Sequence, residues 1–247
     1  MNDTQQVMAG GNMNAVVREG DTVRRIGGPW TPTVHRYLQY LRRGGIDWAP
    51  EPLGFDGTHE TLSFIDAIVP AYPLPDWVWT DAALEQGARM LRHLHDASIG
   101  FPLDEAIWQS STKVPVEVIC HNDFSPHNLA FRDGAIIGAI DFDMCSPGPR
   151  IWDIAYYATR MVPLTGEPPH GAPSGDDVAR RIHLLLNAYG PDAGSIPLTI
   201  DAVMQVAIRR LYGLADFSRL KADELNKPEL RDEADEYERD AEFLSRK

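Results

Sequence analysis

Alternating apolar and polar residues predict that the chain opens with a β-hairpin. The stretches AVVR and TVRRI alternate as half-buried strands do, and they flank Gly20 and Asp21, a pair suited to a tight two-residue turn. A later stretch, TLSFID, has a similar strand-like composition. We therefore expect the hairpin to be joined by at least one further strand in the first third of the chain.

Between the hairpin and that strand, apolar residues recur at helical spacing. Val34, Leu38 and Leu41 would lie on one face of this predicted helix. We predict Thr31 as its N-cap and Pro32 as its first helical residue. A hydroxyl can accept hydrogen bonds from the unpaired N–H groups of a first turn, and the missing N–H of proline is not needed there.

The remainder of the chain is mainly helical by pattern. A helix from about Asp81 to Ser98 precedes the apolar strand VEVIC and the strands LAFR and AIIGAID, which flank the turn pair Asp133 and Gly134. Helical patterns then continue from IWDIAYYATRM to an acidic terminal segment. Only one hairpin is predicted within this helical part.

A proline-rich stretch, VPAYPLPDW, separates the two parts, because three prolines within six residues exclude regular structure. Strands with one helix precede it, and mostly helices follow. This segregation predicts an α+β fold with a small β-rich lobe at residues 1–68 and a larger helical lobe at residues 69–247.

Composition narrows the classes of partner. The net charge of −13 on 247 residues argues against nucleic acid as a partner. No segment is apolar enough to span a membrane and the start lacks a leader-like pattern, so we expect no membrane partner and a cytoplasmic location. The acidic charge would suit a cationic small substrate, although acidic surfaces also serve solubility alone.

The sharpest chemical signal is the segment HNDFSPHN, which contains His121, Asp123 and Asn128 and is followed by Asp141 in AIIGAIDFD. A hairpin that turns at residues 133–134 places Asn128 opposite about Ala139 and within a few residues of Asp141. An amide and a carboxylate therefore converge, and Asp123 lies just upstream on the same loop.

This set of residues suits phosphoryl transfer. The reaction depends on positioning and on magnesium, with a carboxylate accepting the proton of the substrate hydroxyl. Asn128 and Asp141 offer the hard oxygen ligands that magnesium prefers, and Asp123 is the carboxylate that we expect to act as the base. We expect His121 to brace the loop by hydrogen bonding. The alternative is a set of residues that only cap turns.

HNDFSPHN resembles the HxDxxxxN catalytic loop of aminoglycoside phosphotransferases, choline kinases and their distant protein kinase relatives, and IDFD resembles their metal-binding aspartate segment. The resemblance implies a bilobal protein kinase-like fold that uses ATP and Mg²⁺. It also implies that residues 1–68 bind the nucleotide and that residues 69–247 carry the catalytic and substrate sites.

Three further residues of the second lobe match the family pattern. Asp153 in WDIA resembles the helix-start aspartate that supports the catalytic loop, with an ordinary first-turn carboxylate as the alternative. His95 resembles a core position beneath that loop. Asp143 could bind a metal or pair with Arg150, and a solvated or structural role is the alternative.

The first lobe departs from the family pattern. Arg24 and Arg25 stand in the strand where the family has a lysine for the ATP phosphates. Strand alternation places Arg25 on the same face as Val23, as expected for that role, and a solvent-facing charge is the alternative. The following helix offers His35, Gln39 and Tyr40 in place of the glutamate that pairs with the lysine.

Two other segments of the first lobe resemble nucleotide-binding parts of the family. LSFIDA resembles the hinge, in which Ser63, Phe64 and Ile65 would receive adenine, and AGGNMN could replace the glycine-rich loop.

The sequence thus predicts an ATP- and Mg²⁺-dependent phosphotransferase acting on a hydroxyl of a small molecule, with an aminoglycoside-like or other amine-bearing acceptor as one option. A catalytically weak or dead kinase-fold binding or immunity protein is the alternative, since the lysine and glutamate are missing. A metallohydrolase with His121, Asp123, His127 and Asp141 as ligands is disfavoured, because zinc sites use more histidines or cysteines. A monomer and a homodimer are both open.

Overall fold

A computed structural model of the chain describes residues 6–8, 16–173, 175–190 and 194–246. The strands are β1 (Gln6–Met8), β2 (Val16–Glu19), β3 (Thr22–Ile26), β4 (Pro52–Phe55), β5 (His59–Ser63), β6 (Val118–Cys120), β7 (Leu129–Arg132), β8 (Ala135–Ala139) and β9 (Ser146–Gly148). The helices are α1 (Thr31–Arg43), α2 (Asp81–Ser98), α3 (Arg150–Met161), α4 (Val178–Tyr189), α5 (Ile200–Glu224) and α6 (Glu229–Ser245).

The predicted N-terminal hairpin is present and belongs to a five-stranded sheet. Glu19 lies opposite Thr22 across the turn, and Gly20 has the positive φ of 60° that this turn requires. The strand order is β1-β2-β3-β5-β4, with antiparallel neighbours. The sequence pattern missed β4, because its proline and glycine are residues that strands generally disfavour.

Helix α1 begins one residue earlier than predicted. Thr31 is its first helical residue and Trp30 precedes it without a side-chain cap, so the prediction of Thr31 as N-cap is wrong. The Thr31 hydroxyl instead accepts a hydrogen bond from the N–H of Gly28 at 2.9 Å. The hydroxyl therefore fixes the loop that enters α1, while Pro32 still lies in the first turn, where no donor is needed.

The second hairpin, β7–β8, turns where predicted but has a shifted register. Asp133 and Gly134 both have positive φ, as a two-residue primed turn requires. An irregularity beyond Phe131 moves the pairing by one residue, so Ala139 lies opposite Leu129 instead of Asn128. The result is that Asn128 aligns one step closer to Asp141.

The helical core lies beneath the loops that follow β6 and β8. Helix α2 packs on α4 and α3 packs on α5, and the close approach of α2 to α3 depends on Gly87, where a Cβ would lie 2.0 Å from the Tyr157 hydroxyl oxygen. The two parts of the chain are joined by a β-bridge between Ile68 and Phe131 and by a bond from the Ala139 N–H to the Trp48 carbonyl at 3.3 Å. The lobe boundary at residues 68 and 69 stays a prediction.

Across the ranges that the structure describes, none of the helices combines the length and apolar character needed to cross a membrane.

Candidate active site

The loop that carries Asp123 is held from below by a buried carboxylate on α3. The backbone N–H groups of His121 and Asn122 donate to the two carboxylate oxygens of Asp153 at 2.6 and 2.8 Å. Asn122 has φ of 65°, and its side-chain amide donates to the Met144 carbonyl at 2.6 Å. The long-range bonds to Asp153 and Met144 therefore stabilise the loop where it leaves β6.

Asp153 is itself positioned by a chain of buried donors. His95 lies 3.1 Å from Asp153 through Nε2 and 2.7 Å from the Tyr189 hydroxyl through Nδ1, and the Arg150 guanidinium donates to that hydroxyl at 3.1 Å. Burial lowers the pKa of His95, so the neutral tautomer protonated on Nε2 satisfies every partner. The structure thus places His95 and Asp153 directly behind the loop that carries Asp123.

Asp123 projects from this loop with about a quarter of its side chain exposed. Its Oδ1 accepts a hydrogen bond from the Tyr156 hydroxyl at 2.5 Å and its Oδ2 accepts one from the Asn128 amide at 2.7 Å. Burial acts to raise its pKa, but His127 and the Tyr156 hydroxyl oppose this and bring the pKa to about 2. Asp123 is therefore an oriented anion at neutral pH.

Asn128 and Asp141 flank the same space from either side of the hairpin. The Asn128 Nδ2 is committed to the Asp123 carbonyl and carboxylate, which turns its Oδ1 away from that loop. The Ile140 N–H bonds the Asn128 carbonyl at 2.9 Å, and His121 Nε2 bonds the Ile140 carbonyl at 3.1 Å. These bonds hold Asp141, which has φ of 63° and a side chain 41% exposed.

Arg25 reaches into this space and meets three carboxylates. Its Nε bonds Glu60 at 2.6 Å, its Nη1 bonds Asp141 at 2.8 Å and its Nη2 bonds Asp143 at 2.6 Å. Glu60 is buried and also bonds His35 Nε2 at 2.8 Å. The cation predicted on the third strand is thus braced by a glutamate from β5 and a histidine from α1, where the family pattern has a glutamate on the helix.

Asp143 lies between Arg25 and the protein interior. Burial raises its pKa to about 7, against the lowering effect of Arg25, and the neighbouring carboxylates of Asp141 and Glu60 raise it further. The alternative pairing with Arg150 does not occur, because Arg150 reaches the Asp96 carboxylate at 2.7 Å on the far side of the loop.

Other predicted nucleotide-binding residues lie outside this cluster. Arg24 points to the opposite face of β3 and pairs with Asp56 at 2.8 Å, where both side chains are exposed. Alternation along the strand explains why only one of the two arginines reaches the site.

The predicted hinge residues are engaged with the protein itself. Ser63 accepts a hydrogen bond from the Glu51 N–H through its hydroxyl, and the Phe64 N–H donates to the Asp21 carbonyl at 2.8 Å. Ile65 packs on Gly138, where a Cβ would approach within 3.1 Å. The Phe64 N–H is therefore not free for adenine. The AGGNMN segment lies outside the described residues.

Sequence reasoning missed two residues beside the catalytic loop. Tyr156 lies one turn after Asp153 on α3, so helical spacing could have placed it near Asp123. Arg210, buried on α5, donates to the Asn122 carbonyl at 2.6 Å and stacks on the rings of Trp152 and Tyr156. It carries no motif that would have identified it.

The metallohydrolase alternative finds no support in the described ranges. The one group there of three potential ligands with converging atoms is His95, Cys120 and Asp153, all buried. The ring nitrogens of His95 and both carboxylate oxygens of Asp153 already have protein partners. The set His121, Asp123, His127 and Asp141 forms no such group.

Comparison with known protein families supports the predicted resemblance to phosphotransferases. The sequence model of the phosphotransferase enzyme family matches residues 58–173, which include the catalytic loop and the start of α3. The predicted family resemblance is confirmed. Among curated proteins, the trifolitoxin immunity protein of Rhizobium leguminosarum bv. trifolii is 37% identical over 155 residues, a match that covers 60% of this chain and 58% of that relative's length.

Solved structures of phosphotransferases share the fold. A choline/ethanolamine kinase family protein from Mesorhizobium loti superposes with a TM-score of 0.70 at 15% identity, covering 100% of this chain and 89% of the other. An ethanolamine kinase from Plasmodium vivax gives 0.70 at 15% identity over 96% and 81% of the two chains. The gentamicin complex of the aminoglycoside phosphotransferase APH(2")-IIa gives 0.62 at 14% identity over 98% and 93%. The kinase-like fold, with its strands mainly in the N-terminal part and a helical C-terminal part, is therefore confirmed.

Proposed function

We propose that this protein is an ATP- and Mg²⁺-dependent phosphotransferase that moves the γ-phosphoryl group to a hydroxyl of a small molecule. The observation that carries the proposal is the bond from the Asn128 amide to Asp123, together with the backbone bond to Asn128 from Ile140, which lies next to Asp141 in the chain. The match to the phosphotransferase family over residues 58–173 supports it.

The donor set suits magnesium. The Oδ1 of Asn128 and the carboxylate of Asp141 are hard oxygen ligands, and Asp143 lies next to them. When bound, the cation would neutralise charge on the transferred phosphoryl group. The bond from Asn128 Nδ2 to Asp123 links the metal ligand to the base, so that both move as one unit.

Asp123 would hold the acceptor hydroxyl and take its proton. A carboxylate with a pKa of about 2 is a weak base, but it is fully ionised and oriented by Tyr156 and Asn128. Because the transition state of phosphoryl transfer is loose, the hydroxyl becomes acidic only as its oxygen bonds to phosphorus. A weak base can accept the proton at that late stage.

Arg25 would serve the nucleotide phosphates in place of the lysine of the family. A planar guanidinium can bind phosphate oxygens in pairs, and the Glu60 contact would keep it in position. Its bonds to Asp141 and Asp143 would be exchanged for phosphate and metal. Adenine would then lie against the segment 63–65, within a nucleotide-binding lobe at residues 1–68. The proposed enzyme is cytoplasmic and is a monomer or a homodimer.

A catalytically weak or inactive binding protein is the second candidate. The name of the trifolitoxin immunity protein favours it, and so does the ion pair between Arg25 and Asp141, which engages a proposed metal ligand. The two candidates differ in whether Mg²⁺ and ATP bind together.

Thermal unfolding with ATP, Mg²⁺ or both tests the proposal. We expect stabilisation only when both are present, since a ligand that binds the folded state alone raises its stability. A panel of hydroxyl-bearing metabolites and antibiotics would then be screened for Mg²⁺-dependent ADP release. Asp123→Ala should lose release, whereas Asp104→Ala, at an exposed loop position, should retain it. No joint stabilisation by ATP and Mg²⁺ would rule out the phosphotransferase.

A further inference from the structure

A second cation lies beside the catalytic carboxylate and has no carboxylate partner. Arg160 follows Tyr156 by one turn of α3, and Tyr156 donates to Asp123. The guanidinium carbon of Arg160 lies 5.0 Å from the ring centre of Tyr156 and 5.2 Å from that of Tyr237, and its Nη2 donates to the Tyr237 hydroxyl at 2.9 Å. Two rings therefore hold the guanidinium in one orientation.

Like the buried Arg210, Arg160 has no ion pair with any described residue. Counting only the described residues, no carboxylate lies within 4.0 Å of its nitrogens, and its Nε is buried without a hydrogen-bond partner. Arg25, by contrast, bonds three carboxylates. The guanidinium of Arg160 therefore has hydrogen-bonding capacity that the described residues do not use.

Two carboxylates of α6 near Arg160 are engaged with other groups, while Glu236 of the same helix lies near Tyr72. Glu233 accepts a bond from the Tyr237 hydroxyl at 3.1 Å, and Asp240 accepts one from Thr165. Farther along, Asp235 and Glu238 pair with Arg219 of α5. The acidic helix therefore uses much of its charge within the protein, which weakens the option of an amine-bearing acceptor.

Tyr72 connects Arg160 to the surroundings of Asp123. Tyr72, half exposed, comes from the proline-rich segment and packs near the ring of His127, with ring centres 5.7 Å apart. Burial raises the pKa of Tyr72 while Arg160 opposes this, as expected if the hydroxyl and the guanidinium border one space. His127 lies 3.5 Å from Asp123 Oδ1 on the opposite side of that space.

We propose that Arg160 binds a carboxylate of the phosphoryl acceptor, so that the acceptor is a hydroxycarboxylic acid. The inference rests on the proposed function and defines its substrate class. Tyr156 and Arg160 are one helical turn apart, roughly 5.4 Å along the axis, so the hydroxyl and the carboxylate should be separated by a similar distance. Acids with the hydroxyl two to four carbons from the carboxylate fit this spacing. A simple amine has no carboxylate that Arg160 could bind.

Binding without nucleotide tests the inference. The probes are glycerate, 3-hydroxybutyrate, malate and gluconate, each compared with its carboxamide by calorimetry. The variants are Arg160→Met, Arg160→Lys and the control Arg89→Met, which removes an exposed arginine paired with Glu85 on α2. We expect at least one acid to bind the natural protein and the control, with its carboxamide at least tenfold weaker. Arg160→Met should weaken binding of that acid by roughly tenfold to a hundredfold, and Arg160→Lys should recover part of it.

The outcomes separate this inference from the proposed function. Equal binding of acid and carboxamide, no binding of any acid, or unchanged affinity in Arg160→Met would each overturn the role of Arg160. Joint stabilisation by ATP and Mg²⁺ is measured on the same samples and reports on the phosphotransferase independently. If Arg160→Met fails to fold, the comparison of acid with carboxamide on the natural protein and on Arg160→Lys decides.

Discussion

Replacing Arg25 by Met should destabilise the protein more than any other single charge removal in the N-terminal sheet. The substitution keeps most of the side-chain length but removes bonds to Glu60, Asp141 and Asp143. Arg24 provides a matched control on the same strand, because its one ion pair, with Asp56, lies in solvent.

The magnitude follows from how exposed each partner is. Removing one partner of a buried ion pair typically costs about 3–5 kcal/mol, because the other charge stays buried. Asp141 is 41% exposed and stays hydrated, and Asp143, with a pKa of about 7, can take up a proton. Glu60 is buried and would keep only His35 as a side-chain partner. We therefore expect Arg25→Met to lower the free energy of unfolding by about 3 kcal/mol. Arg24→Met should cost less than about 1 kcal/mol.

Urea unfolding at neutral pH without metal measures the free energy of unfolding of both variants. Titration with Mn²⁺ as a probe measures their metal affinity. Without Arg25 the carboxylates of Asp141 and Asp143 lose an internal competitor, so Arg25→Met should bind free Mn²⁺ more tightly than the natural protein. The same variant should bind Mg²⁺ with ATP more weakly, because a phosphate ligand is gone. Equal stability of the Arg24 and Arg25 variants, or unchanged Mn²⁺ affinity, would refute the reasoning.

Three other predictions concern the catalytic loop and its support. Asp123→Ala should lower turnover roughly 10²- to 10⁴-fold and leave nucleotide affinity almost unchanged, as steady-state kinetics and calorimetry would show; a full rate would contradict its role. Asp141→Asn should abolish the joint stabilisation by ATP and Mg²⁺ in thermal unfolding, whereas stabilisation equal to that of the natural protein would exclude Asp141 as a ligand. Burial lowers the pKa of His95, so below pH 6.5 the unfolded chain binds a proton that the folded protein does not. The free energy of unfolding is therefore unaffected by His95 above this pH. On acidification it should fall by up to about 1.4 kcal/mol per pH unit. Urea unfolding at pH 7.5 and 5.5 should show a smaller loss for His95→Gln, and equal losses would place the proton elsewhere.

Features set by neighbouring residues could be predicted from the sequence alone. The turns at Gly20 and at Asp133 and Gly134 follow from residues that tolerate positive φ. The order of the helices and of most strands follows from hydrophobic period, with β1, β4 and β9 as exceptions. The HNDFSPHN and IDFD segments carry the phosphotransferase signal because the reaction needs a carboxylate, an amide and a second carboxylate at short, defined separations.

Features that depend on distant residues were decided by the tertiary structure. Arg25 is 35 residues from Glu60 and 118 from Asp143, and no local period relates them. The one-residue shift that brings Asn128 nearer to Asp141 arises from packing within the hairpin. Arg160 lies between the rings of Tyr156 and Tyr237 because α3 and α6 approach each other at these residues. Local backbone preferences act over a few residues, whereas the pairing of buried charges depends on which surfaces meet when the chain has folded.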